Sequence, residues 1–160
     1  MGGMNHTDIR ALLRHDHEAV LASLEKLRLG ADPRFSLAQL NRVRRQWVIH
    51  ALAEEAVVYR AIEGAEGLRG SKSNADERFI EHELVEGLFE KLTRSRPGSL
   101  EWTARINVAR ELIARHIESE HEELFARLEK SFDAEALAEI GHRFTLARDK
   151  LQLLEEAKAA

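Results

Sequence analysis

Apolar residues recur every three or four positions along most of this 160-residue chain, a spacing that predicts amphipathic α-helices. The predicted helices span residues 7–29, 36–63, 74–95, 99–128 and 133–157. The first is ended by Gly30, the second begins with a plausible capping box from Ser36 to Gln39, and Ser99 is a good N-cap for the fourth. Short connections between the first four helices favour antiparallel neighbours. We therefore predict an all-α fold, an up-down-up-down four-helix bundle with an additional C-terminal helix.

Length and composition agree with one domain over residues 1–160, with the bundle at about 7–130 and the extra helix at about 133–157. The 28 acidic and 24 basic residues give a net charge of −4, so we expect no nucleic-acid partner. The absence of cysteine excludes disulfides, thiolate zinc sites and Cys-ligated iron–sulfur clusters. No stretch approaches the ~20 apolar residues of a membrane span, so we expect no membrane partner and a cytoplasmic location.

Four histidines lie in phase with the apolar stripes of four different helices. His17 falls within the first stripe, whereas His15, about 200° away around the helix axis, falls outside it. His82 lies on the inner face of the third helix. The second and fourth helices carry a repeated His-x-x-x-Glu motif, with His50 and Glu54 in one copy and His116 and Glu120 in the other. Residues four apart lie on one helix face and can hold the same metal ion.

Helix lengths place these side chains at one height in the bundle. At ~1.5 Å per residue, His17 lies about 18 Å from the end of its helix, and His50 lies about 21 Å from the start of the next. His82 and His116 agree with that layer to within about 5 Å. A single in-phase histidine is usually a core residue satisfied by a hydrogen bond, but four of them with two carboxylates would bury a polar cluster that needs compensation. Metal binding is the economical solution.

The order of these motifs resembles the hemerythrin-like (HHE cation-binding) family over most of the chain. The residues that carry the resemblance are Asp16-His17, His50 with Glu54, Glu81-His82, and His116 with Glu120. The resemblance implies a non-haem centre of two iron ions, oxo- or hydroxo-bridged, with terminal histidines and bridging carboxylates. It also implies small-molecule partners, namely O₂, H₂O₂ or NO. The same donors accept manganese or zinc.

Two positions differ from the oxygen-carrying members of that family. Glu86 stands where those proteins have a second histidine on the third helix, and His121 stands where they have an aspartate, while Glu120 matches the HHE version. We interpret the lost imidazole as favouring peroxide or redox chemistry over reversible O₂ storage. For Glu86 the alternative is a carboxylate on the helix surface. The predicted metal ligands are His17, His50, Glu54, His82, Glu86, His116 and Glu120.

Further residues have two interpretations each. Trp47 either forms a wall of the site or only packs in the core. Packing at a helix end is the favoured interpretation of Tyr59, and the alternative is that it quenches oxidants or ligates iron. His121 is expected to be exposed, unless a slight rotation of its helix makes it a ligand. Four carboxylates either accept the second ring N–H of a ligand histidine or are simply solvated: Asp16, Glu55, Glu81 and Glu123.

The leading functional hypothesis is a diiron protein that binds and reacts with O₂, peroxide or nitric oxide, for example by decomposing H₂O₂ in oxidative-stress defence. The alternative is a non-enzymatic O₂, NO or iron sensor or storage module, and a third hypothesis is a zinc site that serves stability alone. The sequence leaves open whether the protein is an enzyme, and whether it is a monomer or a homodimer.

Overall fold

The computed structural model describes residues 7–30, 32–66 and 72–159, and these ranges contain helices and no strand. The helices are α1 Ile9–Leu29, α2 Pro33–Glu54, α3 Arg60–Glu66, α4 Lys72–Thr93, α5 Leu100–Ser119, α6 Phe125–Ser131 and α7 Ala134–Ala159. Two π-helical segments interrupt the α-helical pattern: Glu55–Tyr59 joins α2 to α3, and Glu120–Leu124 joins α5 to α6. Each joined set, α2 to α3 and α5 to α6, therefore forms one long rod of the bundle.

Polar caps set the beginnings of the helices. α2 begins at Pro33, where a missing N–H costs nothing, and the Asp32 side chain accepts a hydrogen bond from the amide of Arg34 at 3.0 Å. The predicted start at Ser36 was therefore too late, and the Ser36 hydroxyl instead donates to the carbonyl of Asp32. Ser99 caps α5 as predicted, since its hydroxyl accepts a hydrogen bond from the backbone N–H three residues further on.

The four rods form a closed ring around one interior. α1 packs against α2 and α5, and α4 packs against the same two helices, so each rod has two neighbours. The additional helix α7 lies against α1, α2 and the first π segment. This arrangement confirms the predicted all-α bundle with an extra C-terminal helix. Within the described ranges, no helix combines the length and the apolar character that a membrane span requires.

The interior consists of two apolar clusters. One contains residues from the stretches nearer the α1–α2 and α4–α5 connections, including Leu24, Trp47, Phe89 and Ile106. The other contains residues nearer the opposite end of the rods, including Leu13, Val58, Leu128 and Phe144. On each rod the inward histidine lies near the point where the residues of the first cluster give way to those of the second. The bundle therefore holds a polar layer with an apolar cluster on each side.

α7 packs along α1 and α2 and approaches the start of α1 closely. Gly141 makes this approach possible, because a Cβ at that position would lie 2.1 Å from the carbonyl oxygen of Thr7. Phe144 then reaches the ring of His50, with centroids 6.2 Å apart. Arg148 forms an ion pair with Asp16 on α1. The extra helix is thus part of the wall around the polar layer.

Candidate metal centre

Six of the seven predicted ligands meet in the buried layer. Each of the six is no more than 5% exposed: His17, His50, Glu54, His82, His116 and Glu120. They form two overlapping groups in which one donor atom of each residue lies within 4.8 Å of the others. The first group is Glu54, His82, His116 and Glu120, and the second is His17, His50 and Glu120. Glu120 belongs to both groups, as a bridging carboxylate between two ions would.

The imidazoles face each other in two pairs. The Nε2 atoms of His17 and His50 are 3.1 Å apart, and those of His82 and His116 are also 3.1 Å apart. Each pair joins two neighbouring rods, α1 with α2 and α4 with α5. In both pairs the Nε2 atoms point into the layer and the Nδ1 atoms point outward.

Three carboxylates hold the outward nitrogens. Nδ1 of His82 lies 2.7 Å from Glu55, Nδ1 of His116 lies 2.6 Å from Glu81, and Nδ1 of His50 lies 3.4 Å from Asp16. A carboxylate accepts hydrogen bonds, so Nδ1 carries the proton and Nε2 presents its lone pair to the layer. Of the two interpretations of these three carboxylates, these contacts agree with acceptance of the second ring N–H and not with simple solvation.

The fourth imidazole has a different partner. Nδ1 of His17 lies 3.1 Å from Nε2 of His121, which was expected to be exposed and is in fact partly buried. Burial lowers the pKa of His121, so its ring is neutral at neutral pH and can accept the proton of His17. Glu123, the remaining predicted acceptor, instead lies 3.4 Å from Arg78.

In the absence of a metal ion, protons compensate the negative charge of the buried layer. Burial lowers the pKa of His50 to about 4, so that ring is neutral. Burial also acts to lower the pKa of His116, but the charge of Glu120 and the hydrogen bonds to Glu120 and Glu81 outweigh it and raise that pKa to about 10. His116 is therefore protonated at neutral pH. Its extra proton lies between facing lone pairs, the position that a metal ion would take.

The two carboxylates of the layer differ in charge. Burial and the neighbouring charge of Glu120 raise the pKa of Glu54 well above its usual value, so Glu54 is protonated in the metal-free protein. Burial also acts to raise the pKa of Glu120, but the charge of His116 and the hydrogen bond from His116 hold it well below its usual value. One carboxylate therefore carries the charge, and the other carries a proton.

Tyr59 also belongs to the centre, although packing at a helix end was the favoured interpretation. Its buried hydroxyl lies 3.0 Å from Oε2 of Glu54 and 2.9 Å from Oε1 of Glu120, and its one proton is within hydrogen-bond reach of both, with the charged Glu120 as the better acceptor. Burial raises the pKa of Tyr59 well above its usual value, so the phenol keeps its proton. The π segment explains the position, since i→i+5 spacing brings Tyr59 over Glu54, five residues earlier.

Two carboxylate oxygens in the layer lack hydrogen-bond donors. Among the described residues, neither Oε1 of Glu54 nor Oε2 of Glu120 has a hydrogen-bond partner, and the latter lies 3.2 Å from Nε2 of His17. Buried carboxylate oxygens without donors are costly unless a cation is bound. Imidazole nitrogens and carboxylate oxygens in this number suit iron, manganese or zinc. The residues present therefore match the metal centre that the motifs imply.

Glu86, the seventh predicted ligand, is not brought into the layer. Its carboxylate lies 2.7 Å from the guanidinium of Arg44, and its side chain is 38% exposed between α2 and α4. Glu86 is one turn beyond His82, the same spacing that places Glu54 and Glu120 in the layer, so the spacing does not exclude it. The structure instead pairs its carboxylate with the cation of Arg44 on the neighbouring helix.

Trp47 lies against the centre, as the wall interpretation predicts. Its ring centroid is 5.4 Å from that of His82, 5.5 Å from that of His116 and 6.1 Å from that of His50. Beside it, a cavity of about 360 Å³ opens between α2 and α4. Trp47, Leu52, Phe79 and His82 are among the residues that line it. A small molecule could approach His82 through this mostly apolar cavity.

The fold and the buried layer define a class of protein, a helical bundle with histidine and carboxylate donors arranged for cations in its interior. The model of the hemerythrin HHE cation binding domain matches residues 8–128, more than half of the chain. The chain belongs to this family.

A curated relative extends the comparison. The chain is 23% identical over 145 residues to a protein of Nostoc sp. (strain PCC 7120 / SAG 25.82 / UTEX 2576) named DNA nickase. The match covers 91% of the chain but 40% of that relative, so the chain spans less than half of the relative's length. No solved structure has significant similarity to the chain.

Proposed function

We propose that this protein is a non-haem diiron protein that binds and reacts with O₂, H₂O₂ or NO. One ion would be held by His17 and His50 and the other by His82 and His116. Glu54 and Glu120 would bridge the two ions.

The facing Nε2 lone pairs carry this proposal. Two imidazoles that both present lone pairs at 3.1 Å cannot hydrogen-bond to each other unless one gains a proton. A metal ion would replace the extra proton between His82 and His116, remove the conflict between His17 and His50, and compensate the carboxylate oxygens that lack donors. A zinc site that serves stability alone would use the same donors. The donors therefore support a bound metal ion, and its identity as iron is what the metal analysis below tests.

The count of donors leaves room for small molecules. Four imidazoles and two bridging carboxylates supply four donors per ion, whereas iron commonly accepts about six ligands. Bound iron would supply redox chemistry and open positions for an exogenous ligand. The protein contributes orientation and exclusion of water. Glu55 and Glu81 fix two imidazoles, Trp47 shields the layer, and the hydroxyl of Tyr59 holds a proton beside both carboxylates.

Decomposition of H₂O₂ is the enzymatic form of the proposal, and a sensor or storage module is the alternative. The alternative has one observation in its favour. α7 exposes three leucines, with Leu146 at 55%, Leu153 at 67% and Leu154 at 50%. Exposed apolar side chains on a helix that packs against the centre could contact a signalling partner.

We do not extend the activity named for the nickase to this chain, and we propose that no nucleic acid is bound. The basic group on α2 consists of Arg42, Arg44 and Arg45, and Arg44 is already paired with Glu86. The net charge of −4 also opposes binding to a polyanion. Nicking of a supercoiled plasmid by the iron-loaded protein, lost in an Arg42→Ala/Arg45→Ala variant, would overturn this part of the proposal.

Anaerobic iron loading tests the diiron proposal. We expect about two iron ions per chain by metal analysis, strongly reduced in His50→Ala and His116→Ala. His15→Ala is the matched control, because His15 is exposed and lies two residues from His17, and it should keep its iron. Less than about one iron per chain in the unmodified protein would refute a dinuclear centre. Many turnovers of H₂O₂ per chain would favour the enzyme, and a single stoichiometric oxidation would favour the sensor or store.

A further inference from the structure

Arg78 is a buried cation next to the proposed centre that is not one of its ligands. It lies on α4, one turn before His82, and is 4% exposed. Its Nη1 atom is 3.5 Å from Oε1 of Glu120, the carboxylate that both donor groups share. A permanent positive charge therefore lies within the layer in which we propose the two iron ions are held.

The guanidinium is only partly used by the protein. Nη2 lies 3.3 Å from the hydroxyl of Ser119 and 3.4 Å from the carboxylate of Glu123. Nε and Nη1 are buried and make no hydrogen bond in the part of the chain that the structure describes, and Nη1 has the 3.5 Å ion-pair contact with Glu120 alone. Donors of a buried arginine are costly when they are left unused, so two of them beside a ligand-binding centre indicate a missing acceptor.

The position of Arg78 connects the layer with the surface. Glu120 is fully buried, whereas the side chain of Glu123 is 59% exposed, and the guanidinium contacts both of them. The planar guanidinium offers paired donors in a fixed geometry, which suits small oxyanions and linear anions.

We infer that Arg78 completes a binding position for a small monovalent anion at the centre, of the hydroperoxide or azide type. This inference rests on the proposed function, because the other side of the position would be an iron ion. Arg78 is a positioning residue, since it holds the ligand by charge and hydrogen bonds without ligating iron. A neutral ligand such as NO would gain little from it.

A purely structural role for Arg78 makes a different prediction. If the guanidinium only neutralises the carboxylates, its loss lowers stability or iron content but leaves anion affinity unchanged once iron is bound. If it binds the anion, the affinity for anions falls while that for neutral ligands is retained. The comparison of azide with NO therefore separates the two roles without a measurement of activity.

Azide titration of the iron-loaded ferric protein tests the inference, with NO binding to the ferrous protein as the neutral reference. Arg78→Met should weaken azide binding by about tenfold or more, and Arg78→Lys, which keeps the charge but not the paired donors, by less. NO affinity should stay within about twofold in both variants. Arg127→Met is the matched control, because Arg127 forms an interhelical ion pair with Glu66 outside the layer.

Three results would count against the inference, and they differ in what they imply for the proposed function. Unchanged azide affinity in both Arg78 variants, with iron retained, would overturn the inference and leave the diiron proposal intact. Loss of iron from both variants would assign Arg78 a structural role and would also overturn the inference. Failure of the unmodified protein to load iron would overturn the proposed function first, and the anion position with it.

Discussion

Replacing Glu120 by Gln in the metal-free protein removes a negative charge that several polar groups share. Tyr59 donates to Glu120 at 2.9 Å, Nε2 of His116 lies 3.2 Å away, and Nη1 of Arg78 lies 3.5 Å away. The comparison variant is Glu54→Gln. Both residues are completely buried in the same layer and belong to the same repeated motif. They differ in that Glu120 is ionised in the metal-free protein and Glu54 is protonated.

The expected magnitudes follow from that difference. Removal of one partner of a buried ion pair costs about 3–5 kcal/mol. We take the lower end, about 3 kcal/mol, for Glu120→Gln, because His116 can release its proton although Arg78 cannot. For a chain of this length the midpoint of thermal unfolding should fall by roughly 6–12 °C.

Glu54→Gln should raise the free energy of unfolding of the metal-free protein at pH 7, in contrast to Glu120→Gln, which should lower it. A neutral amide replaces a neutral carboxylic acid of almost the same shape. The pKa of Glu54 is raised in the folded state, so the unfolded chain releases this proton more easily. Wild-type stability is therefore lost as the pH rises above the unfolded value of about 4.5, and Gln at position 54 removes that loss.

Thermal unfolding followed by circular dichroism at pH 7, after treatment with a chelator, measures both effects. Glu118→Gln, an exposed carboxylate two residues from Glu120, is the control for substitution as such and should leave the midpoint unchanged. A Glu54→Gln variant that is destabilised as much as Glu120→Gln would refute the assignment of charge and proton to the two carboxylates.

Three further predictions concern protons, the phenol and the docking of α7. Binding of Fe²⁺ at pH 7 should release about two protons per chain, from His116 and Glu54, and affinity should rise with pH until His116 loses its proton near pH 10. Calorimetry in buffers of different ionisation enthalpy measures this, and zero release would contradict it. Tyr59→Phe should destabilise the metal-free protein by about 1–3 kcal/mol in urea unfolding, since its buried hydrogen bonding to the two carboxylates is lost, and an unchanged midpoint would contradict that role. Gly141→Ala should lower the free energy of unfolding by about 1–3 kcal/mol, because its Cβ would meet the backbone of Thr7. Gly64→Ala should not lower it, because a Cβ there would meet no atom within 4 Å outside its own helical turn. Equal stabilities of the two variants would count against the close approach of α7.

The positions of six layer residues could be predicted because helical periodicity is a local property. The apolar stripe includes His17 and excludes His15, and the structure buries the first and exposes the second. His50 and Glu54 follow the same stripe on the second rod. Helix lengths then give the heights of these residues, since the rise per residue hardly varies along an α-helix.

Residues beyond the two buried glutamates, Glu54 and Glu120, could not be predicted in the same way. The π segments begin at or directly after Glu120 and Glu54, and each shifts the helix phase by one residue. The shift brings Tyr59 over the carboxylates, and in the other rod His121 lies beside His17. The signal in the sequence was the repeated spacing from histidine to aromatic residue, His50 to Tyr59 and His116 to Phe125. Periodicity alone does not identify the extra residue in a turn.

The sequence by itself determined the helical class, the helix that carries each histidine, and the repeated motif that points to a metal. These follow from local propensity and from the 3.6-residue period. The tertiary structure alone decided which neighbours complete the site. It paired Glu86 with Arg44 outside the layer and buried Arg78 beside Glu120. The reason is physical: the charge and orientation of a buried polar side chain depend on residues distant in sequence, and only the packed bundle brings them within a few ångströms.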